Sequence, residues 1–272
     1  MSTLEAPVRL GAATRLAAMA RLPALARLIA PPAIATLALF AGWDLLARSG
    51  AVSARLLPAP EKVWDTLLRS MSVLLEQAQP TFWAAIAGIF AAAVLGILLG
   101  IAVSVSLIAR QAVYPTIVFF QLIPKVALAP VFLIWFGTGF TAKVVFAVFI
   151  AFFPVLIGTI AGLQAAPPSY GRLCQSLLMS RLQILLTVEL PFALPHIFSG
   201  LRIGVTFAVI GVVLGEFITA QTGLGYIILF SANNFETALL LAAILMLCAV
   251  GIVLFALFLA LEAIVTKLYD SR

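Results

Sequence analysis

Charge is scarce in this chain of 272 residues: Asp, Glu, Lys and Arg make up 10% of it, against 64% hydrophobic residues and a mean hydropathy of +1.21. So few ionised groups could not cover the surface of a soluble monomer, and an integral membrane protein is expected. Histidine is scarcer still. The single one, His196, follows Pro195 at a helix entrance, no serine–histidine–acid arrangement or metal cluster is visible around it, and an enzyme is not indicated. The two cysteines, Cys174 and Cys248, suit neither a disulfide framework nor a metal-ligand spacing. Also missing is the phosphate-cradling motif G-x4-G-K-[ST]: none of the four lysines, Lys62, Lys125, Lys143 and Lys267, follows a glycine. The two-residue alternation of lipid-facing strands is absent too, which excludes a β-barrel. The net charge of +6 does not point to nucleic acid, because loop arginines in a membrane protein orient its helices.

What the chain does have is six apolar runs, near 29–47, 82–108, 113–136, 144–163, 197–220 and 237–265. Each is long enough as a helix to cross about 30 Å of hydrocarbon, so an all-α six-helix membrane bundle is expected. The domain reading is a basic tail, 1–28, followed by a single transmembrane domain, 29–272. With both ends cytoplasmic, Arg9, Arg15, Arg21, Arg27, Arg110, Arg172, Arg181, Arg202, Lys267 and Arg272 lie inside. Arg48, Arg55, Lys62, Arg69 and Lys143 then lie outside and Lys125 within a span, the asymmetry expected of an inside-facing tail and C-terminus. In the tail an Arg-Leu pair recurs every six positions, a step that rotates successive arginines around a helix and so makes no single basic face. No small-residue cleavage site follows the first run, so it reads as an uncleaved helix.

Between the first two spans, Val63, Trp64, Leu67, Leu68, Met71, Leu74 and Leu75 recur at helical steps, which predicts an amphipathic helix at the outer interface. Small residues four apart inside the spans (Gly96/Gly100, Gly158/Gly162, Gly200/Gly204 and Gly211/Gly215) predict close backbone approach.

Two spans carry polar irregularities. In the third, Pro124 and Pro130 flank Lys125, with Gln121 a turn before. Each proline frees a carbonyl that must find a polar partner or a water-lined cavity at membrane depth. Lys125 either pairs within the protein or lines a substrate path. In the fifth, Glu216 precedes a break at Gly223 and Gly225 that reads as a re-entrant or outer hairpin. Glu216 is a partner of Lys125, a gate residue, or an acid reaching the interface.

The connection 164–196 is then cytoplasmic. Pro167 and Pro168 precede a helix start that Ser169 could cap, and Leu173, Leu177, Leu178, Leu182, Leu185 and Leu186 recur at helical steps opposite Arg172, Gln175, Arg181 and Gln183. A short helical pair with one apolar side is expected, ended by Pro191 and Pro195 before the fifth span. It is either an inert linker or a handle for another protein.

Over 57–265 the sequence resembles the permease subunits of binding-protein-dependent ABC importers of the type I fold, in the sulfonate, taurine and nitrate branch. The resemblance rests on "IPKVALAPVFLIWFG", "FFPVLIGTIAGL", "SGLRIG", "GEF" and "GLGY", together with the cytoplasmic motif E-A-A-x3-G-x9-I-x-L-P. That motif's register sets Arg172, Leu173 and Cys174 at E-A-A, Leu178 at the glycine, and Val188, Leu190 and Pro191 at I-x-L-P; its tail matches and its head does not. The resemblance implies that Arg172, Leu173, Cys174, Leu177, Leu178, Ser180, Arg181, Val188, Leu190 and Pro191 form coupling helices seated on a separate ATPase, where ATP and Mg are bound. It further implies a homodimer of permeases, two ATPases, an external binding protein, and residence in a bacterial inner membrane. Gln121, Pro124, Lys125, Pro130 and Glu216 become candidates for the path of a small solute. Lys125 favours an anion such as a sulfonate or nitrate. A neutral or aromatic vitamin precursor is the alternative substrate, and a secondary transporter or channel the alternative class. At Leu178 an L-residue in the family's left-handed turn costs about 1–2 kcal/mol, so the turn is either made differently or the helix runs on.

Overall fold

The computed structural model describes residues 31, 34–104, 107–219 and 221–270. The basic tail expected at 1–28 lies outside the described residues, as does the start of the first apolar run. Contacts divide the chain after Lys62 into two compact units. In the first, helix α1 (34–48) is followed by an irregular stretch. Trp43 Nε1 donates to the Pro58 carbonyl at 3.0 Å, and Arg48 reaches Asp44 at 2.8 Å and Glu61 at 3.6 Å.

The second unit begins within α2 (Pro60–Arg69) and continues through α3 (Met71–Ser104), α4 (Leu107–Leu122), a 3₁₀ turn (Lys125–Leu128) and α5 (Ala129–Phe136). Then follow α6 (Phe140–Leu163), α7 (Pro168–Ser176), α8 (Arg181–Ile184), a π turn (Leu185–Glu189), α9 (Leu190–Thr219), α10 (Leu224–Asn233) and α11 (Thr237–Asp270). No strand occurs among the described residues.

Four helical stretches are long and apolar enough to cross a membrane: Met71–Ser104, Phe140–Leu163, Arg181–Ile218 and Thr237–Tyr269. Pro115–Leu122 and Lys125–Phe136, bent by 80° at their break, would together make a fifth. The third expected span is thus broken, because Pro124 cannot donate into the helical ladder. Pro130 has a different role from the one expected: it sits in the first turn of α5, where its missing N–H leaves no acceptor unfilled.

At the centre α6 packs between α3 and α9, and the small residues explain how closely. A Cβ on Gly158 would stand 2.8 Å from the His196 carbonyl oxygen and 3.0 Å from Gly200 Cα. One on Gly211 would meet Ala147 Cα at 2.6 Å. These backbones touch, as the four-residue spacing predicts, and association comes from van der Waals packing closer than helices make with lipid. The outward faces are apolar: Phe90 on α3, Ile134 and Trp135 on α5, and Ile252, Leu257 and Leu261 on α11 are all exposed. Of the amphipathic α2–α3 surface, Val63, Leu67 and Leu74 pack inward, while Trp64, Leu68 and Leu75 remain exposed.

Candidate functional site

The connection between α6 and α9 is a compact helical corner. α7 starts at Pro168, whose fixed φ suits a first helical position, and Ser169 lies one residue inside it. Its C-terminus closes with the Met179 N–H donating to the Cys174 carbonyl at 3.0 Å, a Schellman closure that requires a left-handed residue just before Met179. That residue is Leu178, with φ of 57°. The turn of the family kind is therefore kept despite the missing glycine, at a cost of about 1–2 kcal/mol. The strained side chain gains nothing inside the subunit, being 93% exposed.

Ser180 then caps α8. Its Oγ accepts from the Gln183 N–H at 3.3 Å, while Gln183 Oε1 accepts from the Ser180 N–H at 2.7 Å, a complete capping box. Around this corner Leu173, Leu177, Leu182 and Leu186 are all more than half exposed, beside exposed Arg172 and Arg181. Cys174 and Ile184 point inward, and Tyr170 packs on Phe192 with ring centroids 5.4 Å apart, so the corner is fastened to α9. The apolar side expected of the loop is real but not continuous, since Leu185 is half-buried.

The prolines do not end this element, contrary to the expectation. α8 runs through the π turn into α9 as one helical stretch, with Val188, Leu190 and Pro191 half-buried along it. The Leu190 N–H reaches back five residues to the Leu185 carbonyl. That wider register takes up the misfit created where Pro191 has no N–H for the preceding turn, so the helix bulges and continues. α8 and the membrane-spanning part of α9 are therefore one helical stretch, joined to α7 through the turn at Leu178.

Gln121, Pro124 and Lys125 cluster at the break between α4 and α5, with Gln121 and Pro124 exposed and Lys125 half-buried. No salt bridge to Lys125 occurs among the described residues. Its ammonium lies over two aromatic rings, 5.4 Å from the centroid of Phe153 on α6 and 5.8 Å from that of Phe207 on α9. The negative ring faces hold the charge without neutralising it.

Glu216 is elsewhere in the bundle and has a different partner. It is fully buried, and its Oε1 lies 3.3 Å from Lys143 Nζ, itself only 2% exposed. The pairing with Lys125 considered from sequence is thereby corrected, as is the reading of Glu216 as an acid reaching the interface, and Lys143, expected just before the fourth span, lies buried within α6. Thr81 Oγ1 on α3 donates to Glu216 Oε1 at 2.9 Å, and the Gly225 N–H donates to Oε2 at 2.8 Å. Lys143 Nζ also donates to the carbonyl and hydroxyl of Thr222. Thr81 Oγ1 in turn accepts from the Leu224 N–H at 2.9 Å, and Gln77 Oε1 from the Gly223 N–H at 2.7 Å. Each carboxylate oxygen is satisfied, the condition under which a buried acid is tolerable.

Lys143, Thr81, Gln77 and Thr222 were not singled out from sequence. A signal existed: Gly211 and Gly215 face α6 at positions four apart, matching Ala147 and Lys143. A Cβ on Gly215 would stand 3.2 Å from Lys143 Cα. The small-residue stripe thus brings Lys143 next to the residue preceding Glu216.

Long apolar helices, a broken span and touching backbones define a multi-pass helical membrane protein. The chain belongs to the binding-protein-dependent transport system inner membrane components, whose family model matches residues 92–267. It is 34% identical over 234 residues to the formylaminopyrimidine transport permease protein ThiX of Halalkalibacterium halodurans, covering 86% of this chain and 93% of that one. It is 33% identical over 243 residues to the taurine transport system permease protein TauC of Escherichia coli, covering 86% and 87%. Among solved structures, an amino acid ABC transporter shares the fold with a TM-score of 0.53 at 17% identity, over 74% of this chain and 95% of that one. The chain is thus an ABC importer permease of the type I fold and not an enzyme; its family works with a separate ATPase and a binding protein.

Proposed function

We propose that two copies of this chain form a solute path in a bacterial inner membrane, each with six spans and both termini in the cytoplasm, and that two ATPases carrying ATP and Mg dock on the corner at 168–191. An external binding protein delivers the solute on the opposite side, and lipid covers the remaining apolar faces. The observation that carries this reading is the corner itself: exposed Leu173, Leu177 and Leu178 on α7 and its turn and Leu182 on α8, beside Arg172 and Arg181, where the helical stretch that becomes α9 begins. A groove on a partner would bury that patch, and movement of the partner would be delivered along α9 into the bundle. Ser180 sets the geometry of the corner, Cys174 anchors it, and Val188, Leu190 and Pro191 carry it into the membrane.

The solute is read as a small organic or inorganic anion. Lys125, with Gln121, Pro124 and Pro130 around the broken span, offers a cation that no carboxylate among the described residues cancels. A neutral aromatic solute is the second reading, favoured by Phe153 and Phe207 beside that lysine and by the likeness to a formylaminopyrimidine permease. Glu216 is better explained by its burial than as part of the path. Chemical cross-linking of the purified complex tests the assembly. Two copies of this chain with two ATPases are expected, and a fully active complex with one copy would overturn it.

A further inference from the structure

We infer that Lys143 and Glu216, with Thr81 and Gln77, form a clasp that fixes the α10 hairpin to the bundle, and that Glu216 is a positioning residue for transport and not a contact for the solute. The chain leaves α9 at Thr219, and α10 begins at Leu224 with Gly223 as its cap at φ of 112°. The first turn of a helix exposes backbone N–H groups that have no partner within it. Here three of the first four are taken by side chains from other helices: Gly223 by Gln77, Leu224 by Thr81 and Gly225 by Glu216. Just before the cap, Thr222 accepts from Lys143 on α6 through both its carbonyl and its hydroxyl.

One carboxylate thus joins four helices. Glu216 is on α9, Thr81 on α3, Lys143 on α6 and Gly225 on α10. The fit leaves no room for a solute. A Cβ on Gly223 would overlap the Glu216 carboxylate, and one on Gly225 would stand 2.8 Å from Glu216 Cβ and 2.9 Å from Oε2. The sequence pattern G-E-F followed by G-L-G is accounted for as one device: an acid, and two glycines that let the next helix start against it. With every polar atom of the acid used internally, the charge is unavailable to a passing ion. What the clasp controls is whether α10 moves with α3, α6 and α9 or separately from them.

With the orientation proposed above, α10 lies on the side that meets the binding protein; the clasp does not depend on that orientation. The test is hydrogen exchange of the purified permease–ATPase complex, read over 221–233, for wild type, Glu216→Gln and Gln77→Ala, with uptake measured in parallel. For Glu216→Gln, exchange in 221–233 is expected to quicken at least tenfold while α6 and the rest of α9 keep their protection, and uptake to fall with no change in solute preference. Unchanged exchange in 221–233, or an altered solute preference with unchanged exchange, would overturn the proposal. Should Glu216→Gln fail to assemble, Gln77→Ala decides. It removes one acceptor and no charge, so acceleration confined to 221–233 supports the clasp, whereas acceleration across the bundle or none overturns it. Labelling of Asn234→Cys by an impermeant reagent, in a chain without Cys174 and Cys248, reads orientation separately: labelling from the cytoplasmic side alone would refute the orientation and leave the clasp standing.

Discussion

Replacing Leu178 by aspartate and by glycine separates its two physical roles. In the subunit the residue sits at φ of 57° with its side chain 93% exposed, so neither substitution removes an internal contact. Glycine relieves about 1–2 kcal/mol of left-handed strain and returns about 0.5–1 kcal/mol through greater freedom of the unfolded chain. The permease alone should therefore be unchanged or slightly more stable with Leu178→Gly. At a docked interface, full burial of a leucine is worth about 1.5–3 kcal/mol. Glycine forgoes part of that while Leu173, Leu177 and Leu182 keep theirs, so the ATPase should still co-purify. Aspartate forgoes the same burial and adds desolvation of a charge, about 2–4 kcal/mol in all, or roughly a 30- to 700-fold loss of affinity. The assay is co-purification of the ATPase with each variant, normalised to folded permease by size exclusion. Full retention by Leu178→Asp would place this residue outside the contact. Full retention by charge substitutions all along Leu173, Leu177, Leu182 and Leu186 would reduce the corner to an inert linker.

The bundle and the path make further predictions. Gly158→Val should lower the stability of the purified permease by about 1–3 kcal/mol or prevent its accumulation, because its branches would press on the His196 carbonyl and Gly200 Cα; a melting temperature equal to wild type would refute that contact. Gly171→Ala, in α7, where a Cβ would meet nothing within 4 Å, is the matched control and should be tolerated. Lys125→Met should impair uptake while the complex stays assembled, since the side chain has no salt-bridge partner among the described residues to lose. Wild-type uptake by that variant would return Lys125 to a purely structural role.

Much of this was legible because membrane helices declare themselves through composition. The runs at 144–163 and 237–265 correspond to α6 and α11, and the glycine pairs correctly marked touching backbones. The break at Gly223 was legible from residue type, since an interior glycine pair is costly to a helix. Less legible was anything depending on which helix faces which. Lys143 reads as a charge outside the spans because it stands just before the apolar run at 144–163, and only packing of α6 on α9 reveals it as the partner of Glu216. Pro191 reads as a helix stop because local propensity treats every proline alike, whereas the π turn just before it absorbs the missing donor. Pro130 is the converse case, harmless because the break at Pro124 made it the second residue of a new helix.

The most direct measurement of the central claim is uptake by proteoliposomes containing this permease, its ATPase and its binding protein, with ATP inside or withheld and with ion gradients imposed or collapsed. Accumulation is expected only when ATP, the ATPase and the loaded binding protein are all present, and to be unaffected by collapse of proton and sodium gradients. Accumulation by the permease alone under a gradient, without ATP, would contradict the account.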